Sequence, residues 1–153
     1  MTTPEERLQE LGVSLPAPAV PVAAYVPCVR TGSLVYVSGQ VPVLDGKPSH
    51  LGHLGDNVDL EDGRAAARTC AVNVLAALKA ELGELSRVRR VVKVTGFVAS
   101  TPDFTDHPKV INAASELFGD VFGDAGRHAR AAIGVVALPL GVPVEVEAIV
   151  EVA

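Results

Sequence analysis

Tryptophan is absent from the 153 residues, and four Phe and two Tyr are the only aromatic rings besides histidine. The interior must therefore be built mainly from Ala, Val and Leu, which favours close packing of helices on a sheet. Cysteine is scarce too. Cys28 and Cys70 show no C-x-x-C pair and no metal spacing, which excludes a disulfide framework and a cysteine-based metal site. Two unpatterned cysteines fit a reducing compartment, so a cytoplasmic location is expected. The chain does not open on a basic stretch followed by an apolar one, as a secretory leader would. No uninterrupted apolar run approaches the ~18 residues of a membrane-spanning helix, so no membrane partner is expected. Lys and Arg number 13 against 18 Asp and Glu, a net charge of -5. Nucleic acid calls for a basic patch or stripe, and none is evident. The one basic cluster, Arg87-Val88-Arg89-Arg90, lies between a helical and a strand-like segment, where it is expected to cap the helix dipole and meet solvent, a local phosphate contact being the other reading. His50, His53, His107 and His128 share no metal-ligand spacing, and each reads as a solvated loop residue. No metal or bound cofactor is called for.

What is present fits one compact domain, residues 1–153, with 48% hydrophobic and 20% charged residues. Thr3-Pro4-Glu5-Glu6 is a helix start: an N-cap, a proline at the first position and acids in the first turn. Leu8, Leu11 and then Gly12 make this helix short. Leu15 to Pro21 holds three prolines and should be extended. Val22–Arg30 and Leu34–Ser38 read as strands joined near Thr31-Gly32, and Asp45-Gly46 as a turn. Ser49 to Asn57 is a Gly- and His-bearing loop. From Leu60 to Leu82 the period becomes helical, with Ala67, Cys70, Ala71, Val74, Leu75, Leu78 and Leu82 on one stripe. Val88–Ala99 is a strand. Thr101-Pro102-Asp103-Phe104 opens a second long helix, carrying Val110, Ile111, Ala114, Leu117 and Phe118. Gly119–Arg127 reads as a loop, and two strands close the chain. The order β-β-α-β-α-β-β predicts an α+β fold with two helices on one face of a single mixed sheet.

The informative residue is Arg130, in the strand-like run His128-Ala129-Arg130-Ala131-Ala132-Ile133-Gly134-Val135-Val136. A guanidinium is always charged and is rarely buried without a partner. Either a carboxylate of the protein meets it, as a structural ion pair, or a ligand anion does. In the last run, Val144, Val146, Ala148 and Val150 suit the helix side, while Glu145, Glu147, Ile149 and Glu151 line the opposite one. Arg130 and a nearby Glu on adjacent strands would begin a small carboxylate site. The face opposite the helices, expected to carry Arg130 together with the Glu-bearing parity, is either solvated or closed by another subunit. With Phe97 and Ile149 also on it, closure by oligomerisation is expected.

Several pieces, in order, resemble the RidA family, also called YjgF or L-PSP endoribonuclease. They are Tyr25 thirteen positions before Ser38-Gly39-Gln40-Val41-Pro42, then Val94-Thr95-Gly96-Phe97-Val98 before Asp103-Phe104. Asn112-Ala113 follows, then Ala129-Arg130, Leu138-Pro139 and Val144-Glu145-Val146-Glu147-Ala148-Ile149. The short N-terminal helix and the Gly-His loop mark a subgroup. The resemblance implies a chorismate-mutase-like fold and a homotrimer with clefts between subunits. It implies deamination of the reactive enamines and imines released by pyridoxal-phosphate enzymes. By position, Arg130 would grip the substrate carboxylate in a bidentate fork. Glu147 would position or deprotonate water, and Tyr25, Ser38, Gly39, Asn112 and Ala132 would line the cleft. Members with this activity usually carry Ser, Thr or Cys in the two positions after the Arg. Here Ala131 and Ala132 stand there, which implies a roomier, more apolar pocket.

Three functions compete: an imine deaminase, a module that binds a small carboxylate without turning it over, and a ribonuclease. The acidic balance and the lack of a histidine acid-base pair oppose the third. Arg130 and Glu147 favour the first two, and the alanines after Arg130 keep the second in play.

Overall fold

The computed structural model describes residues 1–18 and 24–153. The predicted short helix is α1 (Pro4–Glu10), closed by a capping box: the Glu6 N–H donates to the Thr3 hydroxyl at 3.1 Å, and the Thr3 N–H donates to Glu6 at 2.8 Å. The Glu5 carboxylate accepts from Lys79 Nζ and from the Leu85 N–H, both at 2.9 Å, which ties α1 to the end of the next helix. Burial alone would raise this carboxyl, but those hydrogen bonds outweigh it and hold it below the ordinary range.

Five strands form one sheet in the order β1-β2-β7-β5-β6: β1 (Cys28–Thr31), β2 (Leu34–Gln40), β5 (Val88–Ala99), β6 (Ala129–Val135) and β7 (Val144–Val152). Only the β5–β6 pair is parallel. A small hairpin, β3 (Val43–Leu44) and β4 (Lys47–Pro48), turns at Asp45-Gly46 as expected. The long helices α2 (Leu60–Leu82) and α3 (His107–Phe122) pack against each other and against the same side of the sheet. The α+β architecture read from the sequence is the observed one, and β7 keeps its alternation, with every second residue from Val144 to Val152 buried.

Small residues set the helix-to-sheet distance. Ala66, Ala67, Cys70 and Ala71 of α2 are fully buried, and Gly96 of β5 lies directly under Ile111 of α3. Arg87 donates to the Leu82 carbonyl at 3.1 Å, so the basic cluster does cap the C-terminus of α2.

Three boundaries differ from expectation. The first strand begins at Cys28 rather than Val22; the first two residues of that run, 22 and 23, lie outside the described residues, as do the last three of the proline-rich stretch, 19–21. Residues 101–104 form a turn closed by a Phe104 N–H to Thr101 carbonyl bond of 3.2 Å, and α3 starts only at His107-Pro108, where proline lacks a donor the first turn does not need. Gly119–Arg127 is not a loop. Gly119 stays helical because Val121 and Phe122 are buried beyond it; α3 ends at Gly123 and a 3-10 turn follows.

A β-carbon at Gly96 would lie 2.5 Å from the Ile111 side chain. Gly96→Val is therefore expected to lift α3 from the sheet and cost about 1–3 kcal/mol, the usual penalty of overpacking, read as a lowered urea midpoint at unchanged slope.

Candidate functional site

Arg130 sits on β6, the edge strand, in register with Val94 of β5. Val94 faces the helices, so Arg130 does too, and its guanidinium Nη1 donates to Asn112 Oδ1 at 2.8 Å and to Ser115 Oγ at 3.1 Å, both on α3. Behind them stands His128. Its Nδ1–H donates to the Gly126 carbonyl at 2.6 Å, because a carbonyl can only accept. Its Nε2 is then an acceptor for the Ser115 hydroxyl at 2.9 Å. Burial pushes the His128 pKa down, and the Arg130 charge adds to that against the Gly126 bond, which favours the neutral ring. A relay of neutral groups thus orients the cation without neutralising it. Among the described residues no Asp or Glu oxygen forms an ion pair with Arg130. Of the two partners weighed for it, the protein carboxylate is missing.

The expected neighbour relation between Arg130 and Glu147 is corrected. β5 runs between β6 and β7, and Glu147 pairs with Thr95, on the face away from the helices. The alternation of side chains places Arg130 and Glu147 on opposite sides of one sheet, so the expectation that Arg130 lies on the face opposite the helices is corrected as well. The alanines after Arg130 separate in the same way: Ala132 shares its face and packs toward the core, while Ala131 points to the other side.

On that open face a second group assembles. Between Val37 and Gln40, β2 spends three steps against two of β7, a bulge containing Ser38 and Gly39. The Ser38 N–H donates to the Pro27 carbonyl at 2.8 Å and its hydroxyl to the Val26 carbonyl at 2.6 Å, which holds the segment bearing half-exposed Tyr25. Gly39 lies against the Glu145 carboxylate, with no room for a side chain. Glu145 is half-buried, and burial first, then the charge of Glu147, pushes its carboxyl above the ordinary range. Ser38, Thr95, Lys93, Tyr36 and Glu147 line a groove of about 360 Å³ beside it.

The chain therefore brings Arg130, Asn112 and Ala132 together at one edge, and Tyr25, Ser38, Gly39, Glu145 and Glu147 on the other face. Glu145 has the same strand parity as Glu147, and only its contact with Gly39 singles it out. Ser115 lies one helical turn beyond Asn112, a spacing that could have found it. His107 and His128 are not simply solvated: His107 Nε2 is 3.1 Å from Ser100 Oγ, and His128 holds Ser115.

Residues 5–151 match the family described as "YjgF/chorismate mutase-like, putative endoribonuclease". The chain belongs to this YjgF/RidA family. It is 49% identical to protein TCP17 of Trypanosoma cruzi, over 94% of this chain and 91% of that one. It is 36% identical to a 2-iminobutanoate/2-iminopropanoate deaminase of Salmonella typhimurium, over 87% of this chain and 90% of that one. Its structure is similar to that of Atu1372, an Agrobacterium tumefaciens protein of unknown function, with a TM-score of 0.93 and 50% identity over 98% of this chain and 92% of the other.

If Gly39 exists to admit the Glu145 carboxylate, Gly39→Ala should destabilise the fold by about 1–3 kcal/mol. The double variant with Glu145→Ala should cost less than the sum of the two single changes, measured as a double-mutant cycle in urea.

Proposed function

We propose that the protein hydrolyses reactive 2-imino acids, and the enamines that tautomerise to them, to 2-oxo acids and ammonia. The cation at Arg130 carries this reading. It is fixed by neutral groups at a sheet edge and lacks a protein carboxylate, an arrangement suited to a ligand carboxylate held in a fork. Water provides the rest. With the imine nitrogen protonated, C2 is electrophilic. Water adds there and the carboxylate base takes one of its protons. That proton passes to the nitrogen, and the C–N bond breaks as the hydroxyl gives up its proton to the carboxylate. Ammonia departs and a 2-oxo acid stays behind, the last proton going to ammonia as ammonium.

For the base we favour Glu145 over Glu147. Glu145 is half-buried against Gly39 and its carboxyl is raised, which moves its basicity toward neutral pH. Arg130 and Glu145 lie on opposite faces of one chain, so the reading requires a homotrimer in which Arg130, Asn112 and Ala132 of one subunit meet Tyr25, Ser38, Gly39 and Glu145 of the next. The open face supports such closure: Val29, Tyr36 and Ile133 are each about half-exposed on it. One observation favours a binding-only module: neither residue after Arg130 has a hydroxyl or thiol to hold water. The net charge of -5 opposes an RNA substrate.

The test uses imines generated by an amino-acid oxidase, with semicarbazide as the competing trap. Wild type is expected to outpace spontaneous hydrolysis. Arg130→Ala should lose about 1.5–3 kcal/mol of pyruvate affinity, and Glu145→Gln should bind pyruvate but slow turnover by about 10²–10⁴. Refolding those two variants together should restore part of the activity, because some clefts then combine one intact half from each chain. No rate above background in wild type would leave the binding module.

The pH profile separates the two acids. Glu145 acts deprotonated, so the rate rises through its raised pKa. Glu147→Gln removes a charge that raises it, and the acid limb should move to lower pH while the plateau survives.

A further inference from the structure

Beyond Arg130 on the same face of β6 come Ala132 and then Gly134. α3 runs antiparallel above them, so its first turn covers Gly134 as its middle covers Arg130. At Gly134 a hollow of about 400 Å³ opens between the two elements, lined by Ser100, Phe104, His107, Val135 and Val136 among others. Gly134 admits the pair that bounds it: a β-carbon there would lie 2.5 Å from His107 Nε2 and 2.9 Å from Ser100 Oγ. The Phe104 and His107 rings meet edge to face at 5.3 Å, which gives the hollow an aromatic wall. Ser100 and His107, 3.1 Å apart, supply a polar end. The rim is braced by the Gly-His loop: His53 Nε2–H donates to the Val136 carbonyl at 2.8 Å, and the Gly52 N–H to the Gly141 carbonyl at 2.9 Å.

We infer that this hollow receives the side chain of the ligand whose carboxylate Arg130 holds, and that it is shaped for an aromatic ring with a hydroxyl at its far end. The inference rests on the carboxylate reading of Arg130. Four residues of strand span about 13 Å. A three-carbon imino or oxo acid cannot bridge Arg130 to Gly134; one with an arylmethyl side chain can, once a hydrogen bond is allowed at each end. Only the Ala132 methyl separates the two positions on that face of the strand. A ring would lie between Phe104 and Gly134, and its hydroxyl would meet the Ser100–His107 pair.

Calorimetry with pyruvate, phenylpyruvate and 4-hydroxyphenylpyruvate decides it. Wild type should bind phenylpyruvate about tenfold tighter than pyruvate or better, the discrimination a filled apolar pocket supplies. Gly134→Val drives its side chain against His107 and Ser100, which pushes that pair into the hollow, and should bring that ratio close to one. His107→Leu should keep the preference for phenylpyruvate and lose the further gain from the 4-hydroxyl, which tests the polar end should Gly134→Val fail to fold. Equal affinity of wild type for pyruvate and phenylpyruvate, or the same ratio in Gly134→Val, overturns the inference while Arg130-dependent pyruvate binding still stands. If no oxo acid binds in an Arg130-dependent way, the carboxylate reading falls, and this one with it.

Discussion

α2 and α3 seal one face of the sheet and leave the other bare, and strand alternation then decides the side for every functional group. Val94 must be buried under α3, so Arg130, its register partner, is delivered to the helix side, at an edge where a charge can still reach solvent. Val144, Val146 and Ala148 must be buried, so Glu145 and Glu147 are delivered to the bare side. The chemistry is divided by the same rule that builds the core. The proposed acid-base and anion-binding site would therefore be completed only by bringing two chains together.

The handling of the cation follows from its place. A strand guanidinium facing a helix needs acceptors, and α3 offers an amide and a hydroxyl one turn apart. A glutamate at either position would have made a structural pair and cancelled the charge. Neutral partners orient the side chain and leave its field intact, and the half-buried imidazole of His128 fixes the hydroxyl.

Much of this was legible in the sequence. The element order, the buried parity of β7 and the capping of α1 rest on local signals: period, cap residues and turn residues. So did the candidate groups themselves. What could not be read was which strand lies beside which. Arg130 and Glu147 are close along the chain, and the insertion of β5 between β6 and β7 depends on a crossover that leaves no mark on either strand. Glu145 and Glu147 are equivalent in pattern, and only the bulge in β2 distinguishes them. The start of α3 was misplaced because Pro102 and Pro108 are equally good first-turn residues, and tertiary packing of Phe104 into a turn selects the second.

The β2 bulge also works as a phase break. Upstream of it, Val35 and Val37 obey the core; downstream, Gln40 has resumed the helix-facing phase one residue late, and Ser38 and Gly39 share the bare face between the two frames. The two ends of the strand are therefore uncoupled. Upstream, residues can change to suit the packing of α2 without turning Gly39 away from Glu145. Downstream, the loop into the β3–β4 hairpin can vary without shifting the core out of frame. Divergence within such a lineage can thus retune the open face and the interior separately, although one seven-residue strand serves both.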